Sequence, residues 1–198
     1  MKRVLLSVLA FFLALPCFSQ TEVGKYFSSY FNKEYSILSS LSNSGAIESV
    51  YIGITGEYSS EDVNISVKGS DLDEFIKSLE QIKEKYAEWE KVAKENNVTD
   101  MAKDFDIKMP KVTICWYSSK WYFNFNKQLR PRFLITESGK ICFVCTGEAT
   151  ASSNEYITTD FYFALGSTED FDNLIKAISP TTIKEFFSSK QNKEDLFK

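Results

Sequence analysis

Two stretches decide how this chain reads: SNSGAIESVYIGITGEYSSEDVNISVKGSDLDEFIK at 42–77 and TESGKICFVCTGEATASSNEYITTDFYFALGSTEDFDNLIK at 136–176. Each opens on a Ser-Gly pair, Ser44-Gly45 and Ser138-Gly139, and runs through a β-rich segment to Thr-Gly-Glu, at 55–57 and 146–148. Each then has a Ser-rich turn (Ser59-Ser60; Ser152-Ser153), a second β-rich run, and Gly-Ser before a helix, at Gly69-Ser70 and Gly166-Ser167. Thirteen residues before the first serine of each Ser-Gly pair stands Phe-Asn-Lys, at 31–33 and 125–127. Landmarks in one order, with gaps confined to turns, are the mark of an internal repeat.

Working outward, each half reads as four strands and a helix. Val63, Ile65 and Val67 alternate with polar neighbours, the period of a half-buried strand. Strands are expected near 26–31, 35–42, 47–55 and 62–68, then near 121–126, 131–137, 140–147 and 156–165. A leading strand at 111–118 has Val112, Ile114 and Trp116 on one face. Residues 26–31 have helical aromatic spacing, but their counterparts from Trp121 to Phe125 are aromatic-rich and strand-like, so a strand is expected there. From Leu72 to Ala93, apolar residues recur at steps of three and four, giving one stripe on a long helix at about 70–97 capped by Ser70. A second helix, 168–178, is capped by Ser167, and Pro180 suits the first turn of a third. The expected fold is α+β: two β4α repeats with antiparallel sheet packed on one face by helices. They occupy 20–97 and 111–189, joined by a linker at 98–110 and followed by a frayed tail at 190–198.

The first residues carry Lys2 and Arg3, an apolar run from Val4 to Leu15, and Cys17-Phe18-Ser19 before Gln20. That is the layout of a cleavable secretory signal over 1–19. The apolar run is short of the roughly 20 residues that span a bilayer. The destination is periplasmic or extracellular; lipidation of Cys17 is an alternative, poorly matched by Ala14-Leu15-Pro16. The chain has 23 Lys and Arg against 27 Asp and Glu, so losing Lys2 and Arg3 moves its net charge from −4 to −6. An acidic surface repels phosphate backbones and anionic lipid, which argues against nucleic-acid and membrane partners after cleavage. Two N-glycosylation sequons, at Asn64 and Asn97, matter only in a source that glycosylates exported proteins.

The chemistry inventory is thin. The chain lacks histidine, which excludes Ser-His-Asp, Cys-His and His-zinc arrangements within it, and it has no phosphate-binding Gly motif. No metal or cofactor is expected. Cys142 and Cys145 have CxxC spacing, but residues three apart on a strand face opposite sides, so a redox pair is not expected. The repeated Thr-Gly-Glu makes Glu57 and Glu148 the candidate catalytic carboxylates, a pair of the kind that glycoside hydrolysis uses. The competing expectation is a duplicated turn with solvated glutamates. For ligand binding, Tyr117, Tyr122, Asn124 and Asn126 are expected to form an exposed aromatic-polar surface for a protein or carbohydrate, with Trp121, Phe123 and Phe125 in the core. The leading expectation is an exported, non-catalytic binding or interaction module. The alternatives are a hydrolase using Glu57 and Glu148 and a structural envelope component.

Overall fold

The structure is a computed structural model describing residues 20–58 and 62–195. The proposed signal, Cys17 and the Ser59-Ser60 turn lie outside these residues. Alternating apolar residues form ten strands: β1 (Thr21–Ser28), β2 (Lys33–Leu41), β3 (Ile47–Gly56), β4 (Asp62–Lys68), β5 (Met101–Asp104), β6 (Val112–Tyr117), β7 (Trp121–Lys127), β8 (Arg132–Ile135), β9 (Ile141–Ala151) and β10 (Asn154–Leu165). Three α-helices complete the described residues: α1 (Leu72–Glu95), α2 (Thr168–Ile178) and α3 (Pro180–Asp195). The fold is α+β with one large antiparallel sheet.

Neighbours run β1-β2-β3-β4-β6-β7 on one side and β5-β8-β9-β10 on the other. The two runs join where β10 pairs Phe161 with Gly56 and Tyr162 with Thr55. The sheet also curls back on itself. The Ser152 backbone N–H, just past β9, donates to Phe123 O on β7 (2.8 Å). The Asn124 amide donates to Thr150 O (2.6 Å) and the Lys127 ammonium to Glu148 O (2.7 Å). Strands β3, β4, β6, β7, β9 and β10 therefore form a ring whose inward residues, among them Ile54, Val63, Trp116, Tyr122 and Phe161, join the common core.

The helices complete that core. The α1 stripe buries Leu72, Phe75, Leu79, Ile82 and Tyr86. Tyr86 meets the rings of Phe133 and Phe171, and its hydroxyl donates to Gly166 O (3.0 Å). Ser167 caps α2 as expected, accepting from the Asp170 N–H (3.2 Å). Its partner Asp170 is buried, and its carboxylate accepts from Ser29 N–H, Ser29 Oγ, Gly166 N–H and Ser167 Oγ, each at 2.8 Å. This single side chain fastens the β1–β2 loop to the start of α2. The same loop lays Tyr30 and Phe31 over Cys142, Val144 and Ala164, covering the second face of the sheet there.

Several boundaries differ from expectation. β1 begins at Thr21 and ends at Ser28, so Phe31 lies in a loop. The first helix opens with a 3-10 turn at Gly69–Asp71, and Ser70 donates to the Asp71 side chain (2.9 Å) instead of capping. The expected linker contributes β5, which pairs with β8. In the frayed tail expected from 190, helix α3 continues to Asp195. β7 pairs with β6 and not with β8, so the second set of four strands is not laid out as the first.

Two hairpin loops are nonetheless built alike. Gly45 and Gly139 both have φ +78°, a conformation glycine adopts without strain. Each donates its N–H back three residues, to Ser42 O and Thr136 O, both at 2.9 Å. In each loop the hydroxyl of that residue meets a serine two places on, Ser44 (2.8 Å) or Ser138 (2.9 Å). The glycine before α1 answers to a different constraint. A Cβ on Gly69 would lie 1.9 Å from Ile47 O, so Gly69→Ala requires backbone movement. We expect it to destabilise the fold by about 1–3 kcal/mol in urea unfolding; an unchanged midpoint would contradict this packing.

Candidate functional site: the outer face of the β6–β7 hairpin

The alternation in β6 sends Val112, Ile114 and Trp116 inward. Register then sets β7: Trp116 pairs with Tyr122, Cys115 with Phe123 and Tyr117 with Trp121, and directly paired residues share a face. Tyr122 is therefore buried at 9% exposure, its ring 5.7 Å from Trp116. Trp121, Phe123 and Phe125 are 45%, 41% and 57% exposed, beside Tyr117 at 44%. This reverses the expected faces of β7. Asn124 is half-buried and spends its amide on Thr150 O. Asn126 is exposed with φ +57°. It lies where the register slips between β6 and β7, a bulge conformation that asparagine tolerates better than most residues.

The exposed rings stand in pairs. Phe123 and Phe125 are parallel with centroids 5.8 Å apart, and Tyr117 meets Trp121 edge-on at 5.6 Å. Pairing carries the face across the sheet: Asp62 of β4 opposes Tyr117, and Asn64 opposes Cys115. Beyond Asn64 come Gly53 of β3 and then the Ser36 region of β2, where a Cβ on Gly53 would crowd Ser36 O at 3.0 Å. A depression of about 360 Å³ lies on this side of the sheet, lined by residues that include Glu22, Glu34, Gly53, Asp62, Asn64 and Trp121.

Glu57 and Glu148 lie elsewhere. Gly56 and Gly147 both pair with Phe161, one from each side of β10, so the two Thr-Gly segments flank a single strand. Glu148 is exposed opposite Asp160, and Glu57 is exposed just past the end of β3. Neither lines the depression beside Trp121. Among the described residues, no group of three or more Cys, Asp or Glu side chains is arranged to hold a metal ion.

Cys115, Cys142 and Cys145 are free, buried thiols. Cys142 belongs to the outer cluster with Val144, whereas Cys145 belongs to the main core, so the CxxC sulfurs point to opposite faces. Burial pushes the thiols of Cys115 and Cys142 up to about 12, and that of Cys145 up as well. A thiol raised on folding keeps its proton in the folded chain at a pH where the unfolded chain has lost it. Stability from this source is therefore flat below about pH 9. Above that it falls by up to about 1.4 kcal/mol per pH unit for each thiol, until the folded values are reached. Thermal unfolding should show a midpoint constant from pH 7 to 8.5 that drops steeply between pH 9 and 11, less steeply in Cys115→Ala/Cys142→Ala. A midpoint flat to pH 11 would contradict burial of the thiols.

No helix among the described residues is long and apolar enough to cross a membrane. Compared with protein families, curated proteins and solved structures, the chain finds no match.

Proposed function

We propose that this chain is an exported, non-catalytic binding module, delivered to the periplasm or the extracellular space, whose contact surface is the outer face of β6 and β7. The observation that carries the reading is the row of four exposed aromatic side chains, Tyr117, Trp121, Phe123 and Phe125. Aromatic residues are costly to leave in water and are enriched where proteins bind partners. Strand pairing holds these rings in place before any partner arrives, which lowers the ordering cost of binding. The signal-like pattern at 1–19 supports export. The missing histidine and the absence of a grouped metal-ligand set among the described residues support binding over catalysis.

The scaffold is, on this reading, a tandem duplication of a β4α unit whose second copy has exchanged strand partners. The matched loops at Gly45 and Gly139 support it, as does the shared order of sequence landmarks. In the second copy β7 pairs with β6, and β5 lies beside β8. That exchange leaves the aromatic face of β7 outward.

The test uses a photo-reactive benzoylphenylalanine at position 125, with a control at the exposed Lys91 on α1. After irradiation with envelope and medium fractions of the source cells, a discrete adduct is expected from position 125 and not from 91. Equal labelling at both positions, or none at 125, counts against the proposal.

A further inference from the structure

The aromatic face does not stand alone: polar groups with no hydrogen-bond partner among the described residues border it. The Asp62 carboxylate, the Asn64 amide and the Trp121 indole N–H make no hydrogen bond with other described residues. Cross-strand pairing sets them side by side, with Asp62, Tyr117 and Trp121 in one row and Asn64, Cys115 and Phe123 in the next. Other polar groups of the depression are already engaged. Glu22 accepts from Ser36 Oγ (2.7 Å), Glu34 pairs with Lys25 (2.9 Å), and Lys33 lies over the Tyr35 ring (5.0 Å).

We infer that this site takes a glycan, uncharged or amino-bearing, with Trp121 stacking on the apolar face of one sugar ring and Asp62 and Asn64 receiving its hydroxyls. The inference rests on the binding-module reading and narrows it to one ligand class. A pyranose ring presents C–H groups on its faces and hydroxyls around its rim, so it needs a flat apolar wall beside donors and acceptors that, as here, no other described residue occupies. Those are the groups assembled here. A depression of about 360 Å³ is within the range of small-ligand sites. Charge narrows the class further: Glu22, Glu34 and Asp62 against Lys33 leave the lining acidic, which disfavours uronic-acid, sulfated and phosphorylated sugars. A protein hot spot prefers a fully desolvated apolar pocket; this face is open and mixes rings with unspent polar groups.

Affinity electrophoresis tests the inference, with the full chain run through native gels containing β-glucan, xylan, glycol chitosan or polygalacturonate. Retardation is expected in at least one of the first three and not in polygalacturonate. Trp121→Ala should weaken retardation by roughly tenfold or more, and Asp62→Ala or Asn64→Ala by roughly fivefold, the equivalent of one lost hydrogen bond. Unchanged thermal midpoints would show that these exposed-site variants remain folded. No retardation in any gel overturns the glycan assignment, as does retardation that survives Trp121→Ala and Asp62→Ala unchanged. If position 125 still forms its adduct with a protein in that case, the binding surface stands and only its ligand class is wrong. If neither signal is seen, both fail.

Discussion

Replacing Asp170 with alanine should destabilise the fold by about 3–5 kcal/mol in urea unfolding, while Asp170→Asn should cost only about 1–2 kcal/mol. The carboxylate is buried and accepts four hydrogen bonds, three at one oxygen and one at the other. Alanine takes the acceptor from the part-buried backbone N–H groups of Ser29 and Gly166, and a donor left unpaired while shielded from water costs about 1–3 kcal/mol. Asparagine can turn its carbonyl oxygen to the three-donor side and its amide to the Ser167 hydroxyl, losing charge but keeping geometry. Hydrogen exchange should locate the damage in the alanine variant at residues 29–32, because Asp170 ties that loop to α2. Equal effects of Ala and Asn would mean that the carboxylate network does not hold the loop.

The second large effect is expected at Phe143, which is fully buried on β9. Its ring meets Phe163 at 5.4 Å, Phe171 at 5.3 Å and Phe105 at 6.3 Å. It therefore joins β10, α2 and the segment between β5 and β6. Phe143→Ala removes the ring from a site whose neighbours belong to three elements and cannot all close in, so about 3–5 kcal/mol is expected. Because one core cluster spans both runs of the sheet, far-UV and near-UV circular dichroism should still lose signal in one coincident transition. Two separated transitions would instead mean that the two halves fold as independent units.

The sequence showed local periodicity well and long-range pairing poorly. Val63, Ile65 and Val67 are inward on β4 as their alternation implies, and the α1 stripe faces the core. The Ser167 cap was legible because it needs only the next three residues. Asp170 had a local signal as well, an acidic residue at the third helical position behind a capping serine. Its partner Ser29 was not legible, since it lies 141 residues away. On β7 the alternation was correct and the face was wrong. Period-two patterning divides Trp121, Phe123 and Phe125 from Tyr122 and Asn124, but it does not say which set is inward. The Trp116–Tyr122 pairing decides that, and it depends on the turn at 118–120 and on the bulge near Asn126. The assumption that large aromatics go inside failed here because the ring interior is already filled by Trp116, Tyr122 and Phe161.

The same reversal redrew the candidate site. Tyr122 and Asn124, expected at the ligand surface, hold the barrel-like ring together, while residues assigned to the core face solvent. Asp62 and Asn64 carried no signal of their own, because their value lies in being placed opposite β6 by strand pairing. Glu57 and Glu148 were conspicuous through repetition, yet each only follows the glycine, Gly56 or Gly147, that pairs with Phe161 from one side of β10.

The most direct test sets the aromatic surface against the carboxylate pair in one measurement. With the photo-reactive residue at 125, adduct yield is measured in the parent chain, in Trp121→Ala and in Glu57→Gln/Glu148→Gln, each checked for an unchanged thermal midpoint. The aromatic-face reading predicts that the adduct persists when both glutamates are replaced and falls at least tenfold when Trp121 is removed. An adduct that survives loss of Trp121 and disappears with the two glutamates would contradict it.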